Sequence, residues 1–299
     1  MKLSISHLEQ LSGVPIHTIR IWERRYHVLT PDRSEGNTRI YSDTHLKRLL
    51  DIVSLVHSGI KISTACSYTQ LQINNFLENE INKTVAIDER HEFYISQLVK
   101  YGLAFNEVEF SRLLESCFSN YNIEKSYQNI IYPVLQRVGF LWRKDEICPA
   151  QEHFITNIIR QKLMVAIAQI PLAALHKSIW LLCLPEDESH DIPLLFANYL
   201  LRKSGFKVIY LGEKIPINSI QNAIHQNNIA HLLLFMVRQR PITETNTLIH
   251  ELSAKNPDVN IHLSGNKDLI TALQLNQRIN YLPSIAAFIT YLHQLSHAN

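Results

Sequence analysis

Pro15-Ile16-His17-Thr18-Ile19-Arg20-Ile21-Trp22-Glu23-Arg24-Arg25-Tyr26 decides how the amino-terminal part of this chain reads. Wound at helical pitch, it puts Ile19, Trp22 and Tyr26 on one face. His17, Thr18, Arg20, Arg24 and Arg25 fall mostly elsewhere. Pro15 suits a first helical turn, because its missing N–H would have no partner there. Upstream, Ser4 or Ser6 is placed to cap a short helix whose apolar face is Ile5, Leu8 and Leu11. Gly13 supplies the tight turn between the two. Two short helices joined in this way predict a helix-turn-helix. A second helix that is aromatic inside and basic outside has cations for phosphates and donors for base edges, which is what reading a major groove requires.

Working outward, Leu29 to Ser42 reads as a small hairpin about Glu35-Gly36-Asn37, with Arg33 and Arg39 on its arms. A helix from Asp43 follows, with Leu46, Leu49, Leu50 and Val53 on its apolar side. Thr18 to Tyr26, Pro31-Asp32-Arg33 and Arg39-Ile40-Tyr41 together resemble the signature of the MerR family of regulators. The form Trp22-Glu23-Arg24-Arg25-Tyr26 is similar to the branch that carries cobalamin-sensing domains. The resemblance implies a winged head on double-stranded DNA, with Thr18, Arg20, Trp22 and Arg24 on the recognition helix. It implies Arg33, Arg39 and Tyr41 as the DNA-binding residues of the wing. It also implies self-association, as dimer or tetramer, since such heads usually work in pairs on palindromic sites. His27 stands where the family usually has glycine; histidine tolerates a left-handed backbone better than most residues.

The whole chain has 299 residues, a length for two or three domains. Hydrophobic residues at 46% and charged residues at 19% exclude bulk disorder. A net charge of +2 hides a local bias: in the first fifty residues basic side chains outnumber acidic ones by three. Cys66, Cys117, Cys148 and Cys183 lie far apart with no CxxC pair, as expected of reduced thiols. The start MKLSISHLEQ has no apolar signal core, and no apolar run approaches the roughly 20 residues of a membrane span. A cytoplasmic protein with no membrane partner is expected. No Ser-His-Asp set, phosphate loop or zinc cluster has useful spacing, so a non-enzymatic role is expected.

Three zones follow one another, predicting a multidomain α and α/β protein. Residues 1–75 are the winged helix-turn-helix head. Residues 76–175 read as a helical bundle, with apolar positions at helical spacing such as Phe93, Ile95, Leu98 and Val99. Residues 176–299 alternate β-rich runs with helical stretches. The runs are Ile179–Cys183, Val208–Leu211, His231–Phe235 and Val259–Leu263. That order predicts a flavodoxin- or Rossmann-like parallel sheet with helices on both faces.

Two constellations carry candidate chemistry. The loop after the first strand, Pro185 to Pro193, is acidic and holds His190 two residues after Glu188. A neutral imidazole is a competent metal ligand, and a carboxylate near it can orient it. In open parallel sheets, ligands bind at the carboxyl ends of strands, where this loop falls. In the helical zone, Trp142 is followed after nine residues by Glu152-His153. That spacing, just before an α/β domain, resembles the four-helix cap of cobalamin-binding photoreceptor regulators, in which the cap covers the upper face of adenosylcobalamin. The resemblance makes Trp142, Glu152 and His153 upper-face candidates. Arg143 replaces the histidine that light-responsive relatives carry after the tryptophan.

The loop itself resembles the acid-x-His-x-x-Gly motif of cobalamin domains, which makes His190 the candidate cobalt ligand. Pro193 replaces the motif's glycine, Phe235 stands where a serine is expected, and Ser264-Gly265 where Gly-Gly is expected. A Phe ring adds bulk where the cofactor's nucleotide tail needs space. Two expectations therefore stand together: a DNA-binding regulator controlled by cobalamin held by cap and sheet, or a ligand-free regulator whose tail serves oligomerisation or partner binding.

Overall fold

The structure, a computed structural model, describes residues 2–82, 91–142, 149–171 and 178–298. The chain divides into two compact units, Met1–Ile158 and Ile159–Asn299. Arg143 and Cys148 lie outside the described residues, as does the side chain of Trp142.

The first unit opens with α1 (Ile5–Ser12) and α2 (Ile16–Tyr26), the strands β1 (Asp32–Arg33) and β2 (Arg39–Ile40), and α3 (Asp43–His57). Ser4 is the cap of α1: its hydroxyl accepts from the His7 N–H, and the His7 ring accepts from the Ser4 N–H. Gly13 ends the helix at φ 72°, a left-handed turn that glycine enters without strain. Its neighbour decides the position further. A Cβ on Gly13 would meet the Arg137 guanidinium at 2.6 Å. His27 closes α2 at φ 52°, the left-handed conformation expected of it. Ser42 and His45 repeat the reciprocal cap at the start of α3.

Helices α4 (Ile62–Ser67), α5 (Gln70–Asn82), α6 (His91–Leu103), α7 (Glu107–Ser126) and α8 (Tyr132–Trp142) complete this unit, and α9 (Pro149–Ala168) begins in it. α5 runs across the boundary expected at 75/76, and the described helices have a break at Asn122 (φ 62°) and a wide π segment, Tyr127–Ile131, leading into α8. Two polar ties join head to bundle. Asp51, buried on α3, accepts from Lys100 and Gln97 of α6 at 2.5 and 3.3 Å, and from Gln70 of α5 at 3.1 Å. Arg137 of α8 forms a two-pronged pair with Glu92 at 2.6 and 2.8 Å and donates to the Leu11 carbonyl at 3.4 Å.

The second unit is the parallel sheet that the alternating pattern predicts. Its elements are β3 (Ile179–Pro185), α10 (Ile192–Lys203), β4 (Lys207–Ile215), α11 (Ile217–Gln226), β5 (Ile229–Met236), α12 (Ile242–Lys255), β6 (Asn260–Gly265), α13 (Lys267–Thr271), β7 (Ile279–Tyr281) and α14 (Ile285–Ala298). The strand order is β4-β3-β5-β6-β7, every pairing parallel. The fifth strand, three residues long, is too short to show a period in the sequence. The order reverses direction at β3 and β5, so the loops after these two strands flank the crevice in which such sheets bind ligands.

Near the opposite end of the strands, three aromatic rings are stacked in the core. Trp180 lies on His231 and His262 with centroids 4.4 and 4.8 Å apart. The two imidazoles meet at 3.1 Å, and Tyr291 of α14 borders His262 with its centroid at 5.0 Å. Burial pushes His231 down to about 4 and His262 to about 3. Both rings are therefore neutral in the folded state, while the unfolded chain takes up their protons below about 6.5. Stability is full above that pH and falls as pH drops toward the folded values.

Two outcomes are expected. Thermal unfolding followed from pH about 7.5 to about 5 will show falling stability, at up to about 1.4 kcal/mol per pH unit for each histidine. His262→Phe will remove part of that slope. Gly13→Ala will destabilise the first unit by about 1–2 kcal/mol from its backbone conformation, plus a steric share from the Arg137 contact. Denaturant unfolding of the Gly13→Ala, Arg137→Ala and double variants will show non-additive effects, because the second substitution removes the clash made by the first.

Candidate functional site

The head is built around one buried carboxylate. Ile19, fully buried, faces α2 inward, and Glu23 follows one turn later at the same face. Glu23 Oε1 accepts from the Tyr41 hydroxyl at 2.7 Å, and its Oε2 pairs with Arg39 Nε at 3.4 Å. Both donors come from the end of the hairpin, so the wing is tied to the recognition helix. Backbone bonds from Leu3 to Tyr41 and back, at 2.8 and 2.9 Å, fix its other side. In the hairpin Arg33 pairs opposite Arg39, and Arg33 Nη1 donates to Asn37 Oδ1 at 2.5 Å. The turn residue Asn37 has φ 59°, which asparagine tolerates. At the other end of α2, Glu9 Oε1 accepts from the Ile16 N–H at 2.9 Å, which supplies the cap that Pro15 does not.

Of the residues expected at DNA, Arg20 and Arg24 are exposed, and so is Arg33. Thr18, Trp22 and Arg39 are half-buried. Tyr41 corrects the expectation. It is 1% exposed, and its hydroxyl is spent on Glu23, so it braces the wing from beneath rather than meeting a duplex. Burial, reinforced by Glu23, pushes its phenol well above the usual range. Ile21, which is not among the residues expected from the sequence, stands 37% exposed on the outward side with His17 and Arg25. A signal for it exists: Ile21 is two residues from Ile19 and so falls off the apolar stripe of the helix.

At the carboxyl edge of the sheet, Glu188 is fully buried. Its Oε1 accepts from the Ser189 and His190 N–H groups at 3.0 and 3.2 Å and from His190 Nδ1. Its Oε2 reaches the loop after β5, accepting from the Val237 and Arg238 N–H groups at 2.9 and 2.8 Å. Arg240, almost wholly buried, places Nη2 at 3.6 Å from that oxygen and 3.1 Å from Asp187. Burial alone would raise the Glu188 carboxyl; the hydrogen bonds from His190 and Arg238 outweigh it and hold the group at about 2. The carboxylate thus spans the crevice and stays charged. The side chain of His190 is 41% exposed. Nδ1 rests on Glu188, so a buried carboxylate holds the ring as it does in a carboxylate-oriented metal ligand. Arg160 of α9 holds the next residue, Asp191, through two bonds of 2.7 Å.

The ligand couple therefore suits a cobalt-bound corrinoid, while the small-residue positions are altered. Pro193 lies in the first turn of α10. Phe235, half-buried, pairs across the sheet with Ser264, whose hydroxyl is turned to the Leu282 carbonyl at 2.9 Å. Gly265 remains glycine for a local reason: at φ 123°, its Cβ would meet the Met236 carbonyl oxygen at 2.3 Å. In the first unit, Glu152 and His153 lie in the first turns of α9, with His153 Nδ1 at 3.3 Å from Glu152 Oε2 and the histidine exposed. The two are neighbours in the chain, and the side chain of Trp142, expected beside them, lies outside the described residues.

Family models match the head and the helical zone. The family model "MerR HTH family regulatory protein" matches residues 3–70, and the model "B12 binding domain" matches residues 94–166. The HTH-type transcriptional repressor CarH of Myxococcus xanthus is 30% identical over 218 residues, 72% of each chain. The repressor CarA of the same organism is 26% identical over 253 residues, 84% of this chain and 82% of that one. In three dimensions the monomethylamine corrinoid protein of Methanosarcina barkeri superposes with a TM-score of 0.55, covering 68% of this chain and 98% of that one at 12% identity, a likeness of fold. Among the described residues no helix is long and apolar enough to cross a membrane. A recognition helix braced by its wing, joined to a B12-type domain and shared along most of the chain with CarH, makes this protein a member of the MerR family of DNA-binding transcription regulators, in the branch that carries a B12-binding domain.

Proposed function

We propose that this regulator's hold on DNA is set by a cobalamin, adenosylcobalamin being the form the resemblance implies, with His190 as the residue that would hold its cobalt. The observation that carries the reading is the Glu188–His190 couple, anchored through Val237 and Arg238 across the crevice of the sheet. A bound cobalamin would supply a cobalt ion, an acceptor for an imidazole nitrogen. The residues of the chain do the rest. Glu188 orients the ring and fixes its tautomer, and its own donors keep it charged so that it does not compete for the proton. Arg160 holds Asp191 and with it the start of α10. On the DNA side, Arg20, Arg24 and Arg33 supply the charge that meets phosphates, and Glu23 holds wing and helix as one surface. Ligand-dependent self-association would change how many heads engage an operator at once, and avidity would turn that into a change in occupancy. The cytoplasm is the compartment this role requires.

Phe235 favours a second reading, in which the α/β unit serves association without a corrinoid. A half-buried ring stands where the resemblance expects a serine beside the cofactor tail.

Three measurements test these readings. Protein mixed with adenosylcobalamin in the dark and passed through a desalting column will keep a corrinoid spectrum, and illumination will change it. His190→Ala will alter that spectrum or release the pigment. A colourless wild-type fraction overturns the first reading and supports the second, and Phe235→Ser will then restore retention if the ring is the obstacle. Separately, Arg20→Ala and Arg33→Ala will each weaken binding to genomic fragments and flatten the slope of log K against log salt by about 0.9 for each phosphate the arginine neutralises. An unchanged slope removes that side chain from the interface.

A further inference from the structure

The outward pole of the recognition helix is not a charged residue. Measured from the fully buried Ile19, His17 and Ile21 each lie about 160° around α2, nearer the point opposite the core than any other side chain of the helix. Arg20, Arg24 and Arg25 lie about 100–140° away, on its two flanks. All five side chains are exposed. The arginines are therefore spread toward the walls of a groove, where phosphates run, and Ile21 projects toward its floor, where base edges lie.

An isoleucine at that place has a restricted set of partners. It can neither donate nor accept a hydrogen bond, so no polar base edge rewards it. Left in water among three arginines, it gains nothing from burial in this chain. The major groove offers one apolar group, the 5-methyl of thymine, and aliphatic side chains meet that group directly. We propose that Ile21 is a specificity-determining residue of this regulator, and that it selects thymine through its 5-methyl group. The inference rests on the family's DNA-binding head and is independent of any cofactor. His17, one turn earlier, flanks the same contact and is placed to meet the neighbouring base pair. Glu23 contributes at a distance: by holding the wing to the inner face of α2, it sets the roll of the helix and therefore which residues stand at the pole.

Uracil tests the proposal, because it keeps every hydrogen-bonding atom of thymine and lacks only the methyl group. The full chain, with and without adenosylcobalamin, is used to select its preferred duplex from a random library. Each thymine of the selected site is then replaced by deoxyuridine in turn, and affinity is measured for wild type, Ile21→Ala and Arg24→Ala. Wild type will weaken about fourfold at one or two thymines of each half-site, the value of one buried methyl group. Ile21→Ala will abolish that sensitivity at the same positions. Arg24→Ala will weaken binding to all duplexes and keep the uracil penalty. Ile21 lies on an exposed helical surface, and alanine favours the helix, so the variant folds; circular dichroism confirms it. The proposal is overturned if no thymine shows a penalty in wild type, or if Ile21→Ala keeps the penalty undiminished. Failure to select any duplex would overturn it too, and would strike at the DNA-binding role itself, which distinguishes that result from the other two.

Discussion

Buried carboxylates that gather donors from a neighbouring segment are the constraint on which this molecule depends. Glu23 draws Tyr41 and Arg39 onto the recognition helix. Asp51 draws Lys100, Gln97 and Gln70 onto α3. Glu188 draws His190, Val237 and Arg238 together across the edge of the sheet. A charge removed from water is costly unless its oxygens are filled, and removing one partner of such a group typically costs about 3–5 kcal/mol. Each acid therefore admits few alternative arrangements of the segments around it. Hydrophobic contact holds these segments together; the acids decide their register.

The consequence differs between the two ends of the chain. In the head, the tied parts are a helix and a two-residue-per-strand hairpin that has almost no core of its own. The hairpin is held by its link to Glu23 and by its bridge to Leu3, so Arg33 and Arg39 keep a defined position relative to Arg20 and Arg24. In the sheet, the tied parts are two loops at a topological switch, and the surface product is a single oriented imidazole. The same device serves a broad basic surface in one place and one held imidazole in the other.

Much of this is legible in the sequence because it depends on short range. The capping serine before α1, the left-handed turn at Gly13, the hairpin about Gly36 and the four β-rich runs each depend on residues within a few positions of one another. Their signals survive in a linear reading, and the strand runs lead to the parallel sheet found. The three residues of β7 carry no period and are not legible. Tyr41 is misplaced by the sequence pattern for a related reason. Its neighbours in sequence are wing residues, while its partner, Glu23, is 18 positions away. Nothing in the local pattern says which side of a two-residue strand an aromatic ring will face.

What the sequence determined by itself is therefore the inventory and the kind of each element: a helix-turn-helix with a basic face, a helical zone, and a parallel sheet whose first loop carries an acid and a histidine. Tertiary structure decided which of those side chains are spent inside the protein and which remain to meet another molecule. It turned Tyr41 inward, left Ile21 at the outer pole, and carried the Glu188 carboxylate some fifty positions along the chain to Val237 and Arg238. The physical reason is that burial and hydrogen-bond satisfaction are properties of space filled by distant segments. Helical and strand periods fix a side chain's direction relative to its own element, and only the packed neighbours fix what lies in that direction.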